Sequence, residues 1–268
     1  LSLQFLCWTL NTVWEQQKVN SKTLTSLFFL CLITGYAKVS ASTLEFRDGV
    51  DVLLDGASSG FIYNGTNDAE LRSGTPLSNF DFGTGSTTEA EFTIDLSDGG
   101  SEAQVVLRFD NVFGAGPLNV PVGSVINSAT LFIDIDNVGA DLNLYQLSSD
   151  FGSESSVTWD SFAGGVIPGV NAGATPVATI NGGGNKVTVD ITSSVAAWAA
   201  GSTNFGWALV STGNDGVDIG ASENIDFADR PQLFIDFTAP IPPAVVPLPP
   251  SALLALPALA FLTRARRS

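Results

Sequence analysis

Side chains that commonly carry chemistry are scarce in this chain, while carboxylates are abundant. Histidine is absent, which removes Ser-His-Asp and Cys-His catalysis and the commonest zinc sites. Both cysteines, Cys7 and Cys31, fall within the first 41 residues. A domain downstream of them has no disulfide, thiol nucleophile or thiolate ligand. What remains is oxygen chemistry. The segment Asn214-Asp215-Gly216-Val217-Asp218, followed by Glu223, Asp226 and Asp229, offers ligands of the kind calcium takes, without the spacing of an EF-hand. Asp-Gly pairs also serve as plain turns. Asp48, Asp51 and Glu223 meet if the first and last strands pair, and this trio is the predicted Ca2+ site. Acidic residues are numerous enough to supply a glycoside-cleaving pair, but no spacing singles one out. A catalytic role is not expected.

Charge is unevenly placed. Of the 27 acidic residues 26 lie between Ser42 and Leu262, against five bases, Arg47, Arg72, Arg108, Lys186 and Arg230, for a net −21 in a chain of −16. Such a surface repels nucleic acid, whose binding needs clustered Lys and Arg. Acidity of this kind also keeps an exported domain soluble.

The elements that would position these carboxylates read as strands. Leu131, Ile133 and Ile135 alternate with Phe132, Asp134 and Asp136, and Val105, Leu107 and Phe109 alternate in the same way, the period of a half-buried strand. Residues 186–191, 206–210 and 232–237 add three more, with turns such as Gly182-Gly183-Gly184-Asn185. One short helix interrupts them. Thr192 or Ser193 is its predicted cap, Val195 and Trp198 share its inner face, and Gly201 ends it. The expected fold is all-β, a two-sheet antiparallel β-sandwich of jelly-roll type over residues 42–238. A signal helix is expected before it and a hydrophobic helix after it.

Both ends read as addresses. Lys22 precedes an apolar run from Leu24 to Thr34, and Val39-Ser40-Ala41 places small residues before a predicted cleavage between Ala41 and Ser42. The sequence contains no Met, and a GTG start read as Val19 would leave a signal peptide of ordinary length within the leader 1–41. At the other end, residues 239–245 form a Pro-rich linker. The segment 246–268 then holds Val246-Pro247-Leu248-Pro249-Pro250, an almost uncharged stretch, and the basic cluster Arg264, Arg266 and Arg267. A short hydrophobic helix followed by Arg fits an anchor held with its basic side in the cytoplasm. This tail resembles PEP-CTERM sorting signals of the Val-Pro-Leu-Pro-Ala variant, with Pro250 in place of the final Ala. The resemblance implies an exosortase-type processing partner, transient contact with the inner membrane, and delivery to the cell surface, outer envelope or extracellular matrix.

The central region carries a second resemblance. Phe46-Arg47-Asp48-Gly49-Val50-Asp51, Val105 to Asp110, Val120 to Leu131, Ser149-Asp150-Phe151, Ser155-Ser156-Val157-Thr158-Trp159, Val189-Asp190-Ile191-Thr192 and Asp229-Arg230-Pro231-Gln232-Leu233 are similar, in order, to the segments of DNRLRE domains, which are grouped with carbohydrate-binding modules. The departures are Phe151 for Trp, Asp160 for Asn, and a long Gly-rich insertion after Trp159. The resemblance implies polysaccharide binding, with acidic sugars such as alginate among the ligands of some relatives. Sugar sites stack pyranose rings on aromatic faces. The candidates expected on strand ends or loops are Phe61, Tyr63, Phe80, Phe82, Tyr145 and Trp159, of which Tyr63, Tyr145 and Trp159 are the predicted ligand-binding set. Two readings follow: a polysaccharide-binding surface protein, or a structural or adhesion protein without sugar specificity.

Overall fold

A computed structural model describes residues 40–74, 91–98 and 100–241. Thirteen strands and one helix are present among them. The strands are β1 (Ala41–Arg47), β2 (Asp51–Leu54), β3 (Ala57–Ile62), β4 (Thr66–Arg72), β5 (Glu91–Asp98), β6 (Ser101–Phe109), β7 (Val125–Asn137), β8 (Leu142–Gln146), β9 (Ala178–Ile180), β10 (Lys186–Asp190), β11 (Trp207–Ser211), β12 (Val217–Gly220) and β13 (Gln232–Thr238); α1 spans Thr192–Ala199. Every strand pair is antiparallel.

One layer runs β3-β2-β1-β13-β7, with β10 also on β7. The other runs β6-β11-β8-β9, with β4 on β6, and β12 and β5 join the layers at a corner. The first and last strands do pair, the condition on which the Asp48, Asp51 and Glu223 trio depended, with Leu44 opposite Ile235 and Phe46 opposite Leu233. The inner faces meet in a core of Leu44, Leu131, Ile133, Leu107, Leu144 and Leu209, each at most 1% exposed. This is the all-β sandwich that the alternation predicts. Trp198 of α1 fills that core, its ring 4.6 Å from Trp207. Neither Thr192 nor Ser193 caps α1. Thr192 already lies in the first turn, where its hydroxyl accepts from the N–H of Ala129, while the Asp190 carboxylate accepts from the N–H of Thr192.

A second apolar cluster lies on the outer face of the β4-β6-β11-β8 layer. Ala69, Val106, Tyr145 and Ala208 are covered there by Phe151, Val157 and Phe162 of the 147–177 excursion between β8 and β9. Polar clips hold this cover. Gln104 accepts from the Val166 N–H at 2.6 Å, and Asn171 bonds Gly165 and Ile167. Arg108 donates to Asp150 and Gly152 and lies 4.7 Å from the centre of the Phe151 ring.

No helix among the described residues is long and apolar enough to cross a membrane. The signal helix, the sorting motif Val246 to Pro250, the anchor helix with Arg264, Arg266 and Arg267, and Phe80 and Phe82 all lie outside the described residues.

Candidate functional site

Two features sit side by side where β3 leads into β4. The first is a shallow open pocket of about 240 Å3. Its apolar floor is Phe46, Val52 and Tyr63, and its apolar walls are Ile62 and Leu118. Three amides, Asn64, Asn111 and Asn119, supply the polar lining. The floor is rigid. The Tyr63 ring packs edge-on against Phe46 at 5.2 Å and stacks on Phe109 at 6.3 Å, and its hydroxyl donates to the Asp110 carbonyl at 2.7 Å. Burial, with the Asp110 and Asp48 carboxylates nearby, pushes the Tyr63 hydroxyl far above its ordinary pKa, so it stays a neutral donor.

The far wall is the loop after β6. Val120 N–H bonds the Val112 carbonyl and Gly114 N–H bonds the Val120 carbonyl, closing a tight arch. Asn111 takes a left-handed backbone (φ 57°), a conformation Asn tolerates better than most residues, and its carbonyl accepts from the Asn119 side chain. Asn64 and Asn111 are exposed and Asn119 is half-buried. Gly65 lets this wall close up: a Cβ there would lie 2.8 Å from the Tyr63 hydroxyl oxygen and 2.9 Å from the Asp110 carbonyl oxygen.

The second feature begins one residue later. Thr66 and Asp68 stand on the inward face of β4, opposite Phe109 and Leu107 of β6. Asp68 is 1% exposed and accepts from both the N–H (2.8 Å) and the hydroxyl (2.6 Å) of Ser222. One oxygen each of Asp68, Glu154 and Glu223 lie within 4.8 Å of one another. The Ser222 hydroxyl oxygen also lies 2.8 Å from a Glu223 carboxyl oxygen, so its single proton is shared between the two acids. Burial, then the neighbouring Glu223, raises the Asp68 carboxyl well above the usual carboxylate range, against the two Ser222 hydrogen bonds. Burial likewise raises Glu223, with Asp48 adding to the shift and Arg230 opposing it.

The predicted residues are dispersed around these two features. Tyr63 lines the pocket, but as a buried floor, 7% exposed, rather than an exposed platform. Tyr145 is 9% exposed because the 147–177 excursion covers the outer face it occupies. Trp159 is half-buried on that excursion, its ring against Gly165, where a Cβ would approach to 2.6 Å. Among the predicted aromatics that are described, Phe61 is the exposed one, at 63%. The trio Asp48, Asp51 and Glu223 does not assemble. Asp51 lies past the β1–β2 turn and accepts from Ser58 across the β2–β3 hairpin. Asp48 accepts the Thr66 N–H at 3.2 Å and lies 4.0 Å from Arg230, on the border of the cluster. Glu223 instead faces Asp68 and Glu154. The other acidic-loop residues are engaged locally: Asp218 accepts from Thr93, Asp229 from Lys186, and Asp226 from the Ala228 N–H.

Sequence reasoning missed Asn64, Asn111, Asn119, Asp68 and Glu154. Asp68 carried a signal, a carboxylate on an inward strand position in register with Leu107. The amides carried none, because Asn in loops is ordinarily a turn residue.

No curated protein matches the chain. The sequence profile of carbohydrate-binding module family 96 matches residues 82–237, more than half of the chain and nearly all of the sandwich from β5 onward, including Asn111, Asn119, Glu154 and Glu223. The chain therefore belongs to carbohydrate-binding module family 96.

Proposed function

We propose that this chain is an exported surface or matrix protein whose sandwich holds a polysaccharide at the pocket over Tyr63. The observation that carries this reading is the convergence of three neutral amides, Asn64, Asn111 and Asn119, on one apolar-floored depression. An amide both donates and accepts, which matches sugar hydroxyls, and an apolar floor suits the C–H face of a pyranose. Taking a water's share of liquid as about 30 Å3, the pocket equals roughly eight waters, room for one sugar unit of a longer chain. Phe61, adjacent to the pocket wall in sequence, offers a stacking face for a neighbouring unit. The lining is neutral while the surrounding chain is strongly acidic, which favours a neutral glycan over a polyanion.

Binding rather than hydrolysis fits the same geometry. Among the described residues the tight group of three carboxylates has Asp68 sealed at 1% exposure, beyond the reach of a polymer, and family 96 is a family of binding modules. Export rests on the leader and tail. β1 begins at Ala41, so cleavage between Ala41 and Ser42 releases a chain whose first residues are already in register with Phe237 and Asp236. The tail with Val246 to Pro250 and Arg264, Arg266 and Arg267 is read as the substrate of an exosortase-type enzyme at the inner membrane.

The test is affinity electrophoresis of the full chain through gels containing neutral or acidic polysaccharides. Retardation by a neutral glycan that Asn119→Ala weakens supports the reading. Equal mobility in every gel moves the protein to the structural surface class.

A further inference from the structure

We propose that Asp68, Glu154 and Glu223, with the hydroxyls of Thr66 and Ser222, form a binding site for one Ca2+ ion. The donor set is all oxygen, which selects a hard cation. Three carboxylates within 4.8 Å of one another fit inside the coordination sphere of Ca2+, about 5 Å across at Ca–O distances near 2.5 Å. Mg2+ would need them drawn to about 4 Å.

An independent observation lies beside the cluster, two residues from Asp68 on the same face of β4. Thr66 is 7% exposed, and its hydroxyl, buried on the inward face it shares with Asp68, has no hydrogen-bond partner. A buried hydroxyl left unpaired carries an uncompensated desolvation penalty, which a coordinated cation removes. Glu223 Oε2 is also buried without a hydrogen-bond donor. Asp68 keeps coordinating capacity, because each of its oxygens accepts from Ser222 through one lone pair and retains another.

The ion would tie together three parts of the chain distant in sequence: β4, the 147–177 excursion through Glu154, and the β12–β13 loop through Ser222 and Glu223. Its site is separate from the amide pocket, so the metal readout is independent of any glycan.

The experiment is calorimetric titration of the chelator-stripped full chain with CaCl2, with thermal unfolding in Ca2+, in Mg2+ and in chelator. Saturable binding of one Ca2+ is expected, with a melting midpoint several degrees higher in Ca2+ and little change in Mg2+. Glu154→Gln and Glu223→Gln should each weaken Ca2+ at least about tenfold while retaining the wild-type circular dichroism. These two variants serve because Asp68→Asn, at the buried centre, risks misfolding. Absence of Ca2+ heat together with an unchanged midpoint, wild-type affinity in both Gln variants, or equal affinity for Mg2+ would each overturn the assignment.

Discussion

Along the chain the pocket lining ends at Gly65 and the carboxylate face of β4 begins at Thr66, yet the two use opposite chemistry. Toward solvent, Asn64, Asn111 and Asn119 present neutral groups that exchange water for a ligand at little cost. Toward the interior, the half-buried Glu154 and Glu223 gather around Asp68, whose carboxyl is sealed from water. The difference teaches that exposed polar groups suit a ligand that comes and goes, whereas sealed carboxylates need a resident partner, a proton or a cation. The strand order produces the contrast. Among the described residues β4 pairs with β6 alone, and its inward carboxylate meets the two loops that bring Glu154 and Glu223.

The largest expected effect lies on the sealed side. Asp68→Ala strands the Ser222 N–H and hydroxyl and should cost about 3 kcal/mol in urea unfolding with Ca2+ present. A loss under about 0.5 kcal/mol would mean that Asp68 is not central. On the open side, Asn119→Ala removes one amide from the lining and should weaken glycan retardation about tenfold, the equivalent of one hydrogen bond of about 1.4 kcal/mol. The melting midpoint in Ca2+ minus that in chelator should not move in this variant.

Glu223→Gln sharpens the comparison by a change of sign. In chelator it removes a like charge beside Asp68 and should stabilise the protein by about 1 kcal/mol. In saturating Ca2+ it removes a ligand and should destabilise it, so the two unfolding curves of the variant separate less than those of the wild type.

The smallest effect belongs to Asp150, away from both features. The Gly152 N–H, then the Arg108 guanidinium, holds its carboxyl below the ordinary range. Its contribution is therefore present above the unfolded-state pKa near 3.8 and is lost as pH falls through the lower folded value. Because the side chain is 59% exposed, Asp150→Asn should cost no more than about 0.5 kcal/mol at pH 7, with the difference vanishing in strong acid.

How far the sequence revealed each part follows from periodicity. The inner core was legible because alternation at Leu131, Ile133 and Ile135, and at Val105, Leu107 and Phe109, is what one buried face requires. The outer cluster was not. Val106 and Tyr145 read as outward or loop-facing until the 147–177 excursion, which has no regular period, folds over them. The Ca2+ trio failed at one point for a definite reason. The condition for it, pairing of β1 with β13, is met, but the turn after Arg47 sends Asp51 into the β2–β3 hairpin. Glu223 belongs to the acidic loop, whereas its neighbours Asp68 and Glu154 come from segments 86 residues apart that only tertiary structure brings together. The amide pocket was invisible because the left-handed turn at Asn111 and the arch to Asn119 are set by backbone bonds that no residue pattern encodes.

The most direct test of the central claim compares the wild-type full chain with Asn111→Ala and Asn119→Ala in gels containing a panel of neutral polysaccharides. The pocket account predicts retardation of the wild type by at least one neutral glycan and mobility close to the glycan-free gel for both variants. Retardation of the variants equal to that of the wild type would place glycan binding elsewhere on the sandwich and contradict it.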